Sequence, residues 1–166
     1  EARNIIAFMD LGENRRIDNP HWYPTGTSPI PRNDANTLYQ EIKALEGVRD
    51  IKQTNAVLAD NLSSYGIHGG EDYEKIESAR RLNPSEYSFN PSLGILSLRS
   101  SLNPDEVIGV AYEYTQGGNT YQVGEFSTDQ VQASNALIVK LLKGTAQSPQ
   151  LAIWDLMMKN VYHLGA

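Results

Sequence analysis

The chain has 166 residues and no cysteine, which excludes disulfides, thiolate metal sites and cysteine nucleophiles. It also lacks a long apolar run, because its longest candidates, Ile5–Met9 and Val107–Tyr112, are only as long as a strand. A membrane-spanning helix needs roughly 20 such residues. We expect no signal peptide within these residues, since residue 1 is followed by charge and then by a strand pattern. The missing initiator methionine predicts a piece of a longer protein or a processed chain.

Positive charge is scarce as well. Lys and Arg total 14 against 20 Asp and Glu, which gives a formal net charge of −6 and an isoelectric point near 5.0. The basic residues are scattered, and Arg15-Arg16 and Arg80-Arg81 are pairs rather than tracts. Nucleic acids and anionic membranes bind clustered Lys and Arg, so neither is an expected partner. The hydrophobic content of 40% and charged content of 20% predict one globular domain over residues 1–166.

Turn-forming residues are plentiful between Leu82 and Phe126, where they separate short apolar segments. Asn-Pro steps and a Gly-Gly pair set or permit the backbone angles of chain reversals. The segments between them are of strand length and rich in Val, Ile, Leu, Tyr and Phe. They predict four strands of an antiparallel meander: Glu86–Phe89, Ile95–Arg99, Val107–Thr115 and Thr120–Phe126.

Three further segments have strand patterns. Asn4–Leu11 is an apolar run that predicts a strand buried on both faces or a central strand. Leu137–Leu142 predicts another strand, and the charged segment Glu74–Leu82 is expected to be an edge strand.

Helical spacing occurs early and late in the chain. Asp34 can cap one helix and Asp50 a second that runs through Leu58. The first helix has apolar residues at i, i+4 and i+7: Leu38, Ile42 and Leu45. Ile153–Leu164 predicts a C-terminal helix with one apolar stripe, made of Trp154, Met157, Met158 and Val161.

These elements predict an α+β fold. We expect an antiparallel β meander or sandwich-like sheet, with an early helical segment and a C-terminal helix packed on it. The residues expected to be buried at this contact are Ile108, Val110, Trp154, Met157 and Val161.

Patterns that carry catalysis or bind metals are missing from the sequence. His21, His68 and His163 are far apart and form none of the short zinc-binding patterns. Asp10, Glu13 and Asp18 lack calcium-loop spacing and are expected to be solvated. No nucleophile elbow or phosphate-binding glycine loop occurs either. The chain is therefore expected to have no catalytic residue, no metal and no cofactor.

The candidate binding residues are His21, Trp22 and Tyr23, which interrupt a proline-rich surface loop at Glu13–Asn33. Such a trio could be a platform for a ligand, but aromatic residues in a loop more often pin it to the domain. The chain has nine tyrosines against three phenylalanines. Tyrosine suits half-exposed contact surfaces, so this ratio favours a contact-making module over a buried active site.

Four blocks together resemble the SprA/Sov family of gliding motility and the type IX secretion system. They are RNIIAFMDLGE at Arg3–Glu13, ARRLNPSEYSFNPSLGILSL at Ala79–Leu98, DEVIGVAYEYTQGGNTYQVGEFS at Asp105–Ser127 and WDLMMKNVYHLGA at Trp154–Ala166. The stretch Glu86–Thr115 also resembles the hairpin core of immunoglobulin-like sandwich modules in secreted bacterial proteins, which implies a sandwich-like sheet and no particular function.

The family resemblance implies one soluble domain of a very large outer-membrane protein whose barrel forms the secretion translocon. It implies a non-enzymatic structural and interaction role at the cell envelope, on the periplasmic or cell-surface face of the outer membrane. Expected partners are other parts of the same translocon protein, secretion-machinery proteins and secreted cargo. The family brings no catalytic motif. The alternative that the residues leave open is a cell-surface carbohydrate- or peptide-binding module.

Overall fold

The computed structural model describes residues 2–14, 16–17, 19–23, 28–129 and 131–158. Mixed and antiparallel sheets with two short helices confirm the α+β class. The helices are α1, Leu38–Ala44, and α2, Thr54–Leu62. The strands are β1, Ala2–Phe8; β2, Tyr73–Arg80; β3, Tyr87–Asn90; β4, Ile95–Leu98; β5, Ile108–Val110; β6, Tyr112–Gln116; β7, Asn119–Val123; and β8, Leu137–Lys143. The described residues also form two 3₁₀ segments, Ser63–Tyr65 and Ala152–Leu156.

The main sheet has four strands in the order β2-β1-β8-β5. Strand β1 runs antiparallel to β2 and parallel to β8, and β5 runs antiparallel to β8. Internal strands are covered on both faces, which explains the nearly continuous apolar sequences of β1 and β8. The predicted buried strand at Asn4–Leu11, the edge strand at Glu74–Leu82 and the strand at Leu137–Leu142 are therefore confirmed.

The helices pack on the main sheet through their apolar positions. Leu38 and Ile42 of α1 are fully buried, as are Leu58 of α2 and Ile138 of β8. These side chains belong to one continuous core with β1. The two helices predicted early in the chain are present as α1 and α2, but each begins four residues after its expected cap, Asp34 or Asp50. Asn36, not Asp34, accepts the Leu38 amide at 2.8 Å, while Asp34 pairs with Arg32.

The predicted meander is divided among three sheets. Among the described residues, β3 pairs with β4 alone and β6 with β7 alone, so each pair is a separate two-stranded sheet. The predicted strand Val107–Thr115 breaks at Ala111, and its first half joins β8 instead. Gly109 explains this, because its missing side chain lets β5 approach closely. A Cβ there would lie 2.9 Å from Val139 Cγ2 and 3.5 Å from Ala7 Cβ.

The C-terminal helical segment is shorter than expected. Ala152–Leu156 forms a 3₁₀ turn beside β8, and the backbone is extended at Met157, with φ −85° and ψ 132°. Within this turn only Ile153 is buried. Trp154 and Met157 are half-buried, so the prediction that both are buried is wrong. One short turn brings only a single side chain to the core. Val161 and the rest of the predicted helix lie outside the described residues.

Ile108 and Val110, which the sequence predicts to be buried, are only half-buried. Their strand, β5, is an outer strand of the main sheet, so only one of its edges is covered by a neighbouring strand.

Replacing Gly109 by alanine should lower the free energy of unfolding by about 1–3 kcal/mol, because the added methyl group must displace Val139 in a packed interior. Urea denaturation measures this effect. Ser97→Ala, at the exposed position of β4, is the matched control and should stay within about 0.5 kcal/mol of the wild type. An unchanged stability for Gly109→Ala would mean that β5 and β8 are not closely packed.

Candidate functional site

Two of the predicted binding residues, His21 and Trp22, form an aromatic cluster with Tyr65, and both contact Glu41 of α1. Trp22 is fully buried, and its indole Nε1 donates to Glu41 Oε2 at 3.0 Å. His21 Nε2 lies 2.9 Å from the same oxygen, and Thr37 Oγ1 donates to Glu41 Oε1 at 3.0 Å. Burial alone would raise the pKa of Glu41, but these hydrogen bonds outweigh it and lower the pKa. Glu41 therefore fixes the loop to α1 as an ionised acceptor.

Tyr65 completes the aromatic cluster. Its ring stacks on His21 with centroids 4.6 Å apart and an interplanar angle of 15°, and it lies 5.0 Å from the Trp22 ring. Tyr23 is half-buried against the core. The geometry supports the interpretation that the trio pins this part of the chain through Trp22, which is buried and bonded to α1. Since Trp22 has no exposed surface, only its two neighbours present side-chain surface to solvent, and their role in ligand binding stays a prediction.

Asp10 and Glu13, expected to be solvated, are buried instead, with exposed fractions of 0% and 4%. Asp18, the third residue of that prediction, lies outside the described residues. Asp10 accepts the backbone amides of Gly12 at 2.6 Å and Ile17 at 2.9 Å, and it also accepts that of Arg16. A carboxylate that replaces water with several amide donors can be buried without a metal. The loop after β1 folds around this side chain.

Glu13 faces a buried lysine on β8. Lys140, only 6% exposed, donates to Glu13 Oε1 and to the Met9 carbonyl at 2.8 Å. The Leu11 amide donates to Glu13 Oε2 at 2.7 Å. Burial raises the pKa of Glu13; Lys140 opposes this rise, and neighbouring Asp10 adds to it. Sequence reasoning missed Lys140, although a lone charge in the apolar run LIVKLL signals a buried partner.

A second ion pair, between buried Glu125 and partly buried Arg49, joins distant parts of the chain. Glu125 Oε1 accepts from Tyr39 Oη at 2.7 Å and from Arg49 Nη2 at 2.6 Å. Its other oxygen, Oε2, accepts from Arg49 Nη1 and from the Ile138 amide, both at 2.8 Å. The bidentate geometry and the filled acceptor sites indicate a structural junction between α1, the turn before α2 and β8. No sequence signal distinguished Glu125 from an exposed hairpin residue.

The β6–β7 hairpin forms one wall of an open cleft. Tyr114 and Tyr121 pair across the hairpin with ring centroids 5.4 Å apart, and the Arg32 guanidinium lies 5.7 Å from the Tyr121 centroid. The cleft has a volume of about 510 Å³ and is lined by polar side chains around the Tyr121 ring: Arg32, Asn33, Asp34, Asn119, Thr120 and Gln122. This surface includes two of the nine tyrosines, Tyr114 and Tyr121.

Within the described ranges, no group of three or more His, Asp or Glu side chains is placed to hold a metal ion. The same part of the chain contains no helix with the length and apolar character needed to cross a membrane. Compared with known proteins, the chain matches no protein-family model and no curated protein.

Proposed function

We propose that this chain is a non-enzymatic structural and interaction domain of a gliding-motility and type IX secretion translocon in the outer membrane. The four sequence blocks that resemble the SprA/Sov family support this proposal. The observation that carries it is the β3–β4 hairpin, which lies inside the block Ala79–Leu98 and presents apolar side chains to solvent.

The hairpin is anchored at its base and exposed at its tip. At the base, Glu86 accepts two hydrogen bonds from Arg80 Nη1, at 2.7 and 2.8 Å, and one from the Asn83 amide at 2.8 Å. Toward the tip, Phe89 is 58% exposed and Leu93 is 68% exposed. A two-stranded sheet is marginally stable alone, and exposed apolar groups gain most from contact with a partner. The hairpin is therefore suited to contact a neighbouring part of the translocon.

The buried polar groups support a structural role. Asp10 holds backbone amides of its own loop, and Glu125 has both oxygens occupied by donors. Neither acid is exposed to an incoming substrate, because both are buried. In this proposal the domain lies at the cell envelope and binds other parts of the translocon protein, secretion-machinery proteins or secreted cargo.

A pull-down from outer-membrane extract tests the proposal. The wild-type domain should capture translocon or secretion-machinery proteins, identified by mass spectrometry, and Phe89→Ser/Leu93→Ser should reduce their recovery at least tenfold. The variant should keep its Tm, because both side chains are exposed. Met158→Ser, at a residue 72% exposed on a different segment, is the matched control and should capture normally. Equal capture by wild type and the hairpin variant would contradict a role for the hairpin, and substrate turnover would contradict a non-enzymatic domain.

A cell-surface carbohydrate- or peptide-binding module is the second candidate function. The cleft beside Tyr121 favours it, because planar amide, carboxylate and guanidinium groups can bind hydroxyl-rich or peptide ligands. Glycan-array binding that Tyr121→Ala abolishes would support this function over the first.

A further inference from the structure

The buried contact between Lys140 and Glu13 brings together the two reactants of an amide bond. A lysine amine and a glutamate carboxyl group touch at a place where both residues are over nine-tenths buried. We infer that they condense to an intramolecular isopeptide bond, which covalently joins β8 to the loop after β1. This inference rests on the buried contact and is independent of the proposed translocon role.

The surroundings of the pair satisfy both polar groups of the product. An isopeptide bond has one N–H donor and one carbonyl acceptor. Lys140 Nζ already lies 2.8 Å from the Met9 carbonyl, which would accept the amide N–H. Glu13 Oε2 already accepts the Leu11 amide at 2.7 Å and would become the carbonyl oxygen. The product therefore leaves no buried polar atom without a partner, as a stable interior requires.

Condensation needs a neutral amine and a protonated carboxyl group, and the surroundings of Glu13 favour the second. Removing a carboxylate from water disfavours its charge. Burial raises the pKa of Glu13; Lys140 opposes this rise, and the adjacent Asp10 adds to it. The charge of Asp10 beside Glu13 therefore favours the protonated carboxyl group.

The reaction balances without another reagent. The Lys140 ammonium transfers one proton to Glu13 Oε1, which leaves a neutral amine and a carboxylic acid. The Nζ lone pair then attacks Cδ, and the negative charge that develops on Oε2 is stabilised by the Leu11 N–H. Nζ gives a second proton to the Oε1 hydroxyl, the Cδ–Oε1 bond breaks, and one water molecule leaves. The fold holds the two reacting groups in contact, so the reaction is intramolecular and does not require two molecules to meet.

Intact-mass spectrometry of the purified wild-type chain under denaturing conditions tests the inference, because a covalent bond survives unfolding. The expected mass is one water molecule below that of the linear chain. Lys140→Arg should restore the full mass, since a guanidinium does not form this bond. Lys143→Arg, a change of the second lysine on the same strand, should keep the deficit.

Tryptic mapping locates the bond. Residues 4–15 should remain joined to residues 100–143 in one branched peptide that is uncut after Lys140. A full mass for the folded wild type, with trypsin cutting after Lys140, would overturn the inference and leave a non-covalent ion pair. A water loss confined to residues 1–3, from cyclisation of the N-terminal Glu1, would overturn it equally, and that deficit would persist in Lys140→Arg.

Discussion

Replacing Trp22 by alanine should lower the free energy of unfolding by about 3–5 kcal/mol, because it empties the largest fully buried side-chain site of the described residues. The loss includes the contact with the Tyr65 ring and the hydrogen bond from Nε1 to Glu41. For a domain of this size, the Tm should fall by roughly 10 °C. Chemical denaturation monitored by circular dichroism measures the first quantity, and thermal melting measures the second.

Two variants separate the parts of this effect. Trp22→Phe keeps a buried ring but removes the donor to Glu41, so it should be less destabilising than alanine. His21→Ala removes a side chain that is 41% exposed and should cost about 1 kcal/mol or less. If Trp22→Ala melted like the wild type, the loop would not be pinned, and a ligand platform would be the better interpretation of the trio.

The sequence predicts those elements whose signal is local. The spacing of Leu38 and Ile42 indicates a helix, and both residues are buried on one face of α1. Gly117-Gly118 predicts a hairpin turn, and it joins β6 to β7. The parallel pairing of Ile6 with Ile138 could not be predicted in this way, because it joins residues far apart in the chain with no turn between them to set the register.

The same limit applies to the candidate site. His21, Trp22 and Tyr23 stand out because aromatic residues are unusual in a proline-rich loop. Asp10 and Glu13 look like ordinary surface carboxylates, since their burial depends on backbone amides and on a lysine that the fold brings to them. The sequence indicates that a charged residue has a buried partner only where that residue lies within an apolar segment, as Lys140 does in LIVKLL.

Replacing Glu125 by alanine should lower the free energy of unfolding by about 3 kcal/mol, because the partly buried Arg49 guanidinium would lose its ion-pair partner. The Tyr39 hydroxyl and the Ile138 amide would lose their acceptors as well. Denaturant unfolding measures the loss. Replacing the exposed carboxylate of the Lys75–Glu77 pair, as Glu77→Ala, is the matched control and should cost about 1 kcal/mol or less.

The Glu125 junction should also have a pH signature. Burial alone would raise the pKa of Glu125, but hydrogen bonds from Arg49, the Ile138 amide and Tyr39 outweigh it and lower the pKa below the ordinary value of 4.5. A carboxyl group whose pKa is lower in the folded state stabilises the fold above its unfolded-state pKa, and it loses that contribution as the pH falls through its folded-state pKa.

The variant Glu125→Gln tests this, because a glutamine side chain does not titrate. The difference in unfolding free energy between wild type and Glu125→Gln should therefore be constant near neutral pH and shrink steadily below about pH 4.5. A difference that stayed constant down to pH 2 would show that Glu125 is not held as an ionised acceptor. It would also show that the contact with Arg49 does not depend on the charge of Glu125.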